Sequence, residues 1–337
     1  MVGLVGYAAL ALVATAFVWK GSTMLERSGE RLSEYYGLPP VVHGAVVVAI
    51  GSSFPELSSA VLSTLLHGEF ELGVGAIVGS AIFNVLVIPS VSRLASDGPL
   101  DSGRDVVYKE TQFYMLSVAV LLLTFSLAVI YNPVADGRLV GQLTRPLALV
   151  PILLYGLYVF IQYQDTSEYE AEVAPSDATP TRAWATLAVS LLVILIAVEG
   201  MVQAALGFGR LLDTPSFLWG LTVVAAGTSL PDALVSVRAA RRDESTTSLA
   251  NVLGSNIFDL LVAVPAGVLV AGATPIDFEV AVPMMGVLTL ATILLFTLLR
   301  TELTLTHSEA WTLLIAYGVF IAWLVTETVG LTHVLPT

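Results

Sequence analysis

At 337 residues, 56% apolar, only 12% charged and with a mean hydropathy of +0.84, the chain has the composition of an integral membrane protein. It has no cysteine, which excludes disulfides and thiolate metal centres, and its four histidines fall in no paired ligand spacing. A formal net charge of −13 leaves no basic patch for nucleic acid, and an acidic surface with two lysines fits a salt-loving prokaryote.

In chain order, apolar runs able to cross a bilayer as helices fall near residues 2–19, 39–66, 72–93, 112–131, 146–162, 183–206, 216–240, 247–271, 279–299 and 309–328. The first lacks a basic leading segment and reads as an uncleaved span rather than a signal peptide. The second is long, and at about 1.5 Å per residue it exceeds a hydrocarbon core of about 30 Å, so a tilted, broken helix is expected there. Between the fifth and sixth spans, residues 163–182 carry Asp165, Glu168, Glu170, Glu172 and Asp177 with Pro175 and Pro180, the composition of a solvated linker. Residues 1–162 and 183–337 are then two halves of five spans each.

Eleven of the fourteen Lys and Arg lie in the loops after spans 1, 3, 5, 7 and 9. Cationic loops stay cytoplasmic, so both termini are expected outside a plasma membrane and the linker inside. An odd number of spans per half turns the halves in opposite directions. The expected fold class is an all-α membrane protein with ten transmembrane helices as two inverted five-helix repeats, a recurring transporter design.

Two segments recur between the halves. GAVVVAIGSSFPELSSAV, starting at Gly44, returns as GLTVVAAGTSLPDALVSV, starting at Gly220; VGAIVGSAIFN, ending at Asn84, returns as ANVLGSNIFD, ending at Asp259. The motif regions are about 44–90 and 220–265. Each copy puts polar groups inside apolar runs: Ser52, Ser53, Glu56, Ser80 and Asn84 in the first, Thr228, Ser229, Asp232, Ser255, Asn256 and Asp259 in the second. Ser52–Glu56, Ser80–Asn84, Thr228–Asp232 and Ser255–Asp259 are i, i+4 pairs, which share a helix face. Pro55 and Pro231 remove backbone donors and disturb the helix one turn upstream, beside Gly51 and Gly227, just after Ala49 and Ala225. Free carbonyls at that depth must find partners or line a polar cavity.

Carboxylates, amides, hydroxyls and carbonyls without imidazole or thiolate form a hard-oxygen set suited to Ca²⁺ or Na⁺. Any one hydroxyl in a span more often bonds its own helix than a ligand, and any one proline is more often a kink. The carboxylates of Glu56, Asp232 and Asp259 are costlier to bury without a role. Asn84 joins them, whereas Asn256 is read as packing. Glu199, Glu327, His43 and His67 fall near span ends and are read as interfacial. Glycines such as Gly75 and Gly79 are read as sites of close helix packing.

In these paired segments the chain resembles the cation/Ca²⁺ exchanger superfamily, the sodium/calcium exchangers, whose two alpha-repeats they match. The resemblance implies ion sites lined by Glu56, Ser52, Ser53, Ser80 and Asn84 from one half and Asp232, Asp259, Thr228, Ser229 and Ser255 from the other. It also implies Na⁺ ligation by the carbonyls of Ala49 and Ala225, and spans 1 and 6 as a long, loosely held pair sliding over the other eight. Ser52, Ala81 and Asp232 depart from the common prokaryotic pattern. With Asp259 they are similar to the K⁺-dependent branch, where K⁺ with Ca²⁺ would balance three carboxylates.

The expected function is secondary antiport of Ca²⁺ against Na⁺ by alternating access, as a monomer in a lipid bilayer and without cofactor, with K⁺ co-transport left open. The alternative is H⁺/Ca²⁺ exchange, since carboxylates carry protons. An intramembrane protease built on Asp232 and Asp259 would leave Glu56 and Asn84 unexplained. A cation channel would show single-channel currents in place of saturable counterflow.

Overall fold

The computed structural model describes residues 2–36, 49–104, 106–134, 139–166, 180–242, 245–328 and 331–332. Among these residues nine helical stretches are long and apolar enough to cross a membrane. The span expected at 39–66 is described only from residue 49 on, as α2 (Ala49–Ser52) and α3 (Phe54–His67). His43 and Gly44 lie outside the described residues, as does most of the acidic linker.

The first half otherwise comprises α1 (Val2–Tyr36), α4 (Phe70–Leu86), α5 (Ile88–Ala95), a π-helical turn π1 (Val106–Glu110) leading into α6 (Thr111–Tyr131), and α7 (Arg145–Thr166). The second half has α8 (Pro180–Leu212), α9 (Ser216–Trp219), π2 (Gly220–Val224), α10 (Ala225–Ala240), α11 (Ser245–Phe258), π3 (Asp259–Ala263), α12 (Val264–Ala271), α13 (Phe278–Arg300) and α14 (His307–Thr328).

Spans 1 and 6 are far longer than their apolar runs. α1 continues past residue 19 to Tyr36, and α8 covers 33 residues. In α1 the extra turns keep a buried stripe, with Gly21, Leu25, Ser28 and Leu32 at helical spacing while Arg27, Glu30 and Arg31 face out. A hydropathy window sees the charges and stops; the helix itself needs only one apolar face.

The expected break upstream of Pro55 is present, two residues later than Gly51. It falls at Ser53 (φ −91°, ψ 7°), and α3 restarts with Pro55 in its first turn, where a missing N–H costs nothing. The matching break at Gly227 does not occur. Pro231 sits inside an unbroken α10, and the strain is taken up ahead of it by the wide turn π2.

Four short strands modify the all-α expectation. β1 (Leu100–Asp101) pairs antiparallel with β4 (Thr304–Leu305), and β2 (Val140–Leu143) pairs with β3 (Thr274–Asp277). These loop residues satisfy backbone groups that their helices leave open. Their arrangement carries the symmetry. β1 precedes α6 and β2 follows it, while β3 precedes α13 and β4 follows it. The two ribbons thus close opposite ends of the packed α6–α13 pair, which must run antiparallel.

Two large apolar clusters divide the interior, and a third, small one joins Ile88, Ala233 and Val252. The larger includes Ile77, Ile82, Tyr114, Phe125, Leu261 and Met284. The smaller joins α1 to α8 through Ala14, Val18, Leu25, Ile194, Val198 and Met201, and meets the rest at Leu72, Ala76 and Val224. The outer faces of α7 and α14 expose Leu153, Phe160, Ile315 and Val319, as lipid contact requires.

Candidate functional site

Close approach of α4 to the second half builds the site. A Cβ at Gly79 would overlap the Leu221 carbonyl oxygen, and one at Gly220 would overlap that of Leu72. Only hydrogen at these positions lets α4 and π2 cross with backbones in contact. The crossing brings α3, α4, α10 and α11 together, and the polar residues of both motifs meet there. Glu56, Asp259, Ser53, Ser80, Asn84, Thr228, Ser229 and Ser255 are each at most 2% exposed, and Ser52 and Asp232 are 4% exposed.

The bonds run between the halves. Ser80 Oγ and Ser229 Oγ are 2.7 Å apart, and Ser53 Oγ donates to the Ser255 carbonyl at 3.4 Å. Ser53 corresponds to Ser229 and Ser80 to Ser255, so these two contacts are images of each other. Ser80 Oγ also reaches Glu56 Oε1 at 3.5 Å, with Thr228 alongside the same carboxylate. Ser53 flanks Asp259 from the opposite half, and Glu56, Asp232 and Asp259 lie close enough for their charges to interact.

Three oxygens in the cluster are buried with no hydrogen-bond partner among the described residues: Glu56 Oε2, Asn84 Oδ1 and Asp259 Oδ1. Buried acceptors left open are costly and belong where a ligand completes them. No three acidic or histidine side chains among the described residues are gathered as a ready cage. Hydroxyls and amides separate the carboxylates, which eases their repulsion; an ion here would draw on mixed oxygens.

The remaining assignments divide. Ala49 opens α2 and Ala225 opens α10, so both backbones stand at the head of the motif. The Ala225 carbonyl accepts from Thr228 Oγ1 at 3.2 Å, a back-bond within α10. Ser255 bonds back to the Val252 carbonyl at 3.0 Å. Asn256, read from sequence as packing, is completely buried within the cluster. Its Oδ1 accepts from Asn84 Nδ2 at 2.9 Å, and its Nδ2 donates to the Ala81 carbonyl at 3.3 Å. The available signal was Ala81 opposite Asn256 in the repeat, which leaves one amide to bridge the halves. His67 and Glu199, both read as interfacial, pair at 2.9 Å and tie α3 to α8.

With this geometry in hand, comparison with known proteins is direct. The profile of the family described as sodium/calcium exchanger protein matches residues 6–164 and 182–326. The chain belongs to that family. Among its relatives, the putative antiporter CaxA of Alkalimonas amylolytica is 31% identical over 273 residues, covering 77% of this chain and 82% of that one. The solved sodium-calcium exchanger NCX_Mj is 26% identical and superposes with a TM-score of 0.63 over 95% of this chain and 98% of that one. The solved H⁺/Ca²⁺ exchanger CAX shares the fold at a TM-score of 0.73 with 15% identity, over 94% of this chain and 82% of that one. Membership in the sodium/calcium exchanger family places the chain among transporters and agrees with ten membrane helices in inverted repeats.

Proposed function

We propose that this chain exchanges Na⁺ for Ca²⁺ across the plasma membrane by alternating access, with the ions held between α3, α4, α10 and α11. The observation that carries the reading is the set of open oxygens on Glu56, Asn84 and Asp259, brought together from both halves in a buried cluster. In this reading the ligands are Glu56, Asp232, Asp259, Asn84, Ser52, Ser53, Ser80, Thr228, Ser229 and Ser255, with the carbonyls of Ala49 and Ala225. Ca²⁺ favours several hard oxygens with carboxylate charge, and several Na⁺ can take the same oxygens in turn. Such competition couples the two fluxes. An empty acidic pocket is costly to seal from water, so only ion-filled states close and cross.

The separate apolar cluster of α1 and α8 supports these two helices as the moving pair. The Lys and Arg distribution supports termini on the outside, and the acidic composition supports a salt-rich habitat. The unit of function is a monomer, since one chain holds both halves of the site.

Radiolabelled Ca²⁺ uptake into Na⁺-loaded proteoliposomes tests this directly. Uptake that needs internal Na⁺ is expected, and its absence would sink the reading. Running wild type and Asp259→Asn with and without K⁺ decides K⁺ co-transport: K⁺ stimulation in wild type that is lost in the variant would establish it. H⁺/Ca²⁺ exchange is the second reading, favoured by the fold shared with CAX and by three carboxylates able to take protons. Ca²⁺ flux driven by a pH gradient without Na⁺ would select it.

A further inference from the structure

The extension of α1 beyond its apolar run carries a carboxylate toward the ion site. On a helix turning about 100° per residue, Thr15, Ser22, Glu26 and Ser33 fall within an arc of about 40°. Thr15 marks where that face points: with Met201 it closes on Gly227 of α10, where a Cβ would lie 2.8 Å from Thr15 Oγ1. α1 packs along α10 as well as α8.

Relative depth follows from topology. Gly3 meets Leu211, Tyr7 meets Gly207 and Gly21 meets Ile194, so α1 and α8 are antiparallel. The short turn before Ser216 reverses the chain between α8 and α10, so α1 and α10 run parallel. Counting about 1.5 Å per residue from the Thr15–Gly227 contact, Asp232 lies about 7 Å further along, Ser22 about 10 Å and Glu26 about 16 Å. Glu26 therefore stands beyond Asp232 on the side where the chain carries Arg27, Arg31, Arg238, Arg241 and Arg242.

Two observations give this stripe chemical meaning. Ser22 is 1% exposed and its Oγ has no hydrogen-bond partner among the described residues. Glu26 is half-buried and forms no ion pair among the described residues, its charged neighbours on the same helix being Arg27 and Glu30. Ser236, one turn past Asp232 on α10, is buried at the depth between them. An unpaired carboxylate followed by an open hydroxyl, leading toward a second carboxylate, is the arrangement that attracts a cation and begins to replace its water.

We propose that Glu26, with Ser22 one turn above it, is a capture site for divalent cations at the cytoplasmic mouth, carried on α1 and distinct from the transport ligands. The proposal rests on the exchanger reading for its direction. A fixed negative charge at the mouth raises local cation concentration on one face only, so its signature is one-sided.

The test compares right-side-out and inverted membrane vesicles. Glu26→Gln is expected to raise the Ca²⁺ KM on the cytoplasmic face about threefold to tenfold while the external KM holds, and Glu26→Asp to restore the cytoplasmic value. Because the chain has no cysteine, Glu26→Cys supplies a single thiol. A membrane-impermeant methanethiosulfonate should reach it from the cytoplasmic face, an anionic reagent lowering the KM and a cationic one raising it further. Equal KM shifts on both faces, or a thiol that reacts only from outside, would overturn the capture site. If wild type shows no Na⁺-driven exchange, the exchanger reading fails by itself. Protection of a Ser22→Cys thiol by Ca²⁺ alone with Glu26 intact, lost when Glu26→Gln is added, would then support the capture site, and lack of protection with Glu26 intact would overturn it.

Discussion

Glu56 uses its two oxygens differently. Oε1 is held by Ser80, while Oε2 is buried and open. That division suits the ligand role proposed for it: one oxygen fixes the side chain and the other is free to coordinate. Asp259 repeats it, with Ser53 beside the carboxylate and Oδ1 open. Glu56→Gln and Asp232→Asn each remove a buried charge whose compensation depends on the cation. Each is expected to lower Ca²⁺ affinity on the order of a hundredfold and to abolish coupled flux, measured as Na⁺-dependent Ca²⁺ uptake. Full coupled flux in either variant would refute its place among the ligands. These carboxylates were legible from sequence because an acid inside an apolar run has few innocent explanations. Asn256 was not, because an amide in a span serves packing as readily as chemistry; only its bond to Asn84 reveals the bridge.

At the scale of elements, the two motifs share a sequence and differ in backbone. α3 restarts after Ser53, whereas α10 runs through Pro231 behind a π turn. The difference places Gly227 inside an intact helix, against Met201 of α8 and Thr15 of α1. Gly227 is thus one point where the α1–α8 pair rests on a helix of the proposed ion site. Gly227→Ala would press a methyl into the Met201 side chain and is expected to cost about 1–3 kcal/mol. Thermal denaturation in detergent should show a lowered Tm. A Tm unchanged by Gly227→Ala would show that the pair does not bear on α10 there. Proline and glycine positions announced a disturbance in both motifs, yet a proline is compatible with a break, a kink or a widened turn, and neighbouring helices select among them.

For the whole molecule, the symmetry is visible in its smallest elements. The β1–β4 and β2–β3 ribbons cap opposite ends of the α6–α13 pair, as inverted halves require. On the proposed topology, thiols introduced by Val2→Cys and Thr332→Cys should react with an impermeant reagent added to intact cells. A thiol from Arg242→Cys should react only after the membrane is opened. The reverse pattern would invert the molecule and, with it, the side assigned to Glu26.

Membrane residence, the count of spans, the inverted repeat and the acidic groups of the motif were all determined by the sequence alone. Each is written in local patterns of hydropathy and repetition that lipid enforces directly. Helix lengths beyond the apolar runs, the unequal treatment of two equivalent prolines, the Asn84–Asn256 bridge and the seating of α1 along α10 were decided by tertiary packing. They depend on which faces of distant helices meet, and no local pattern encodes that meeting.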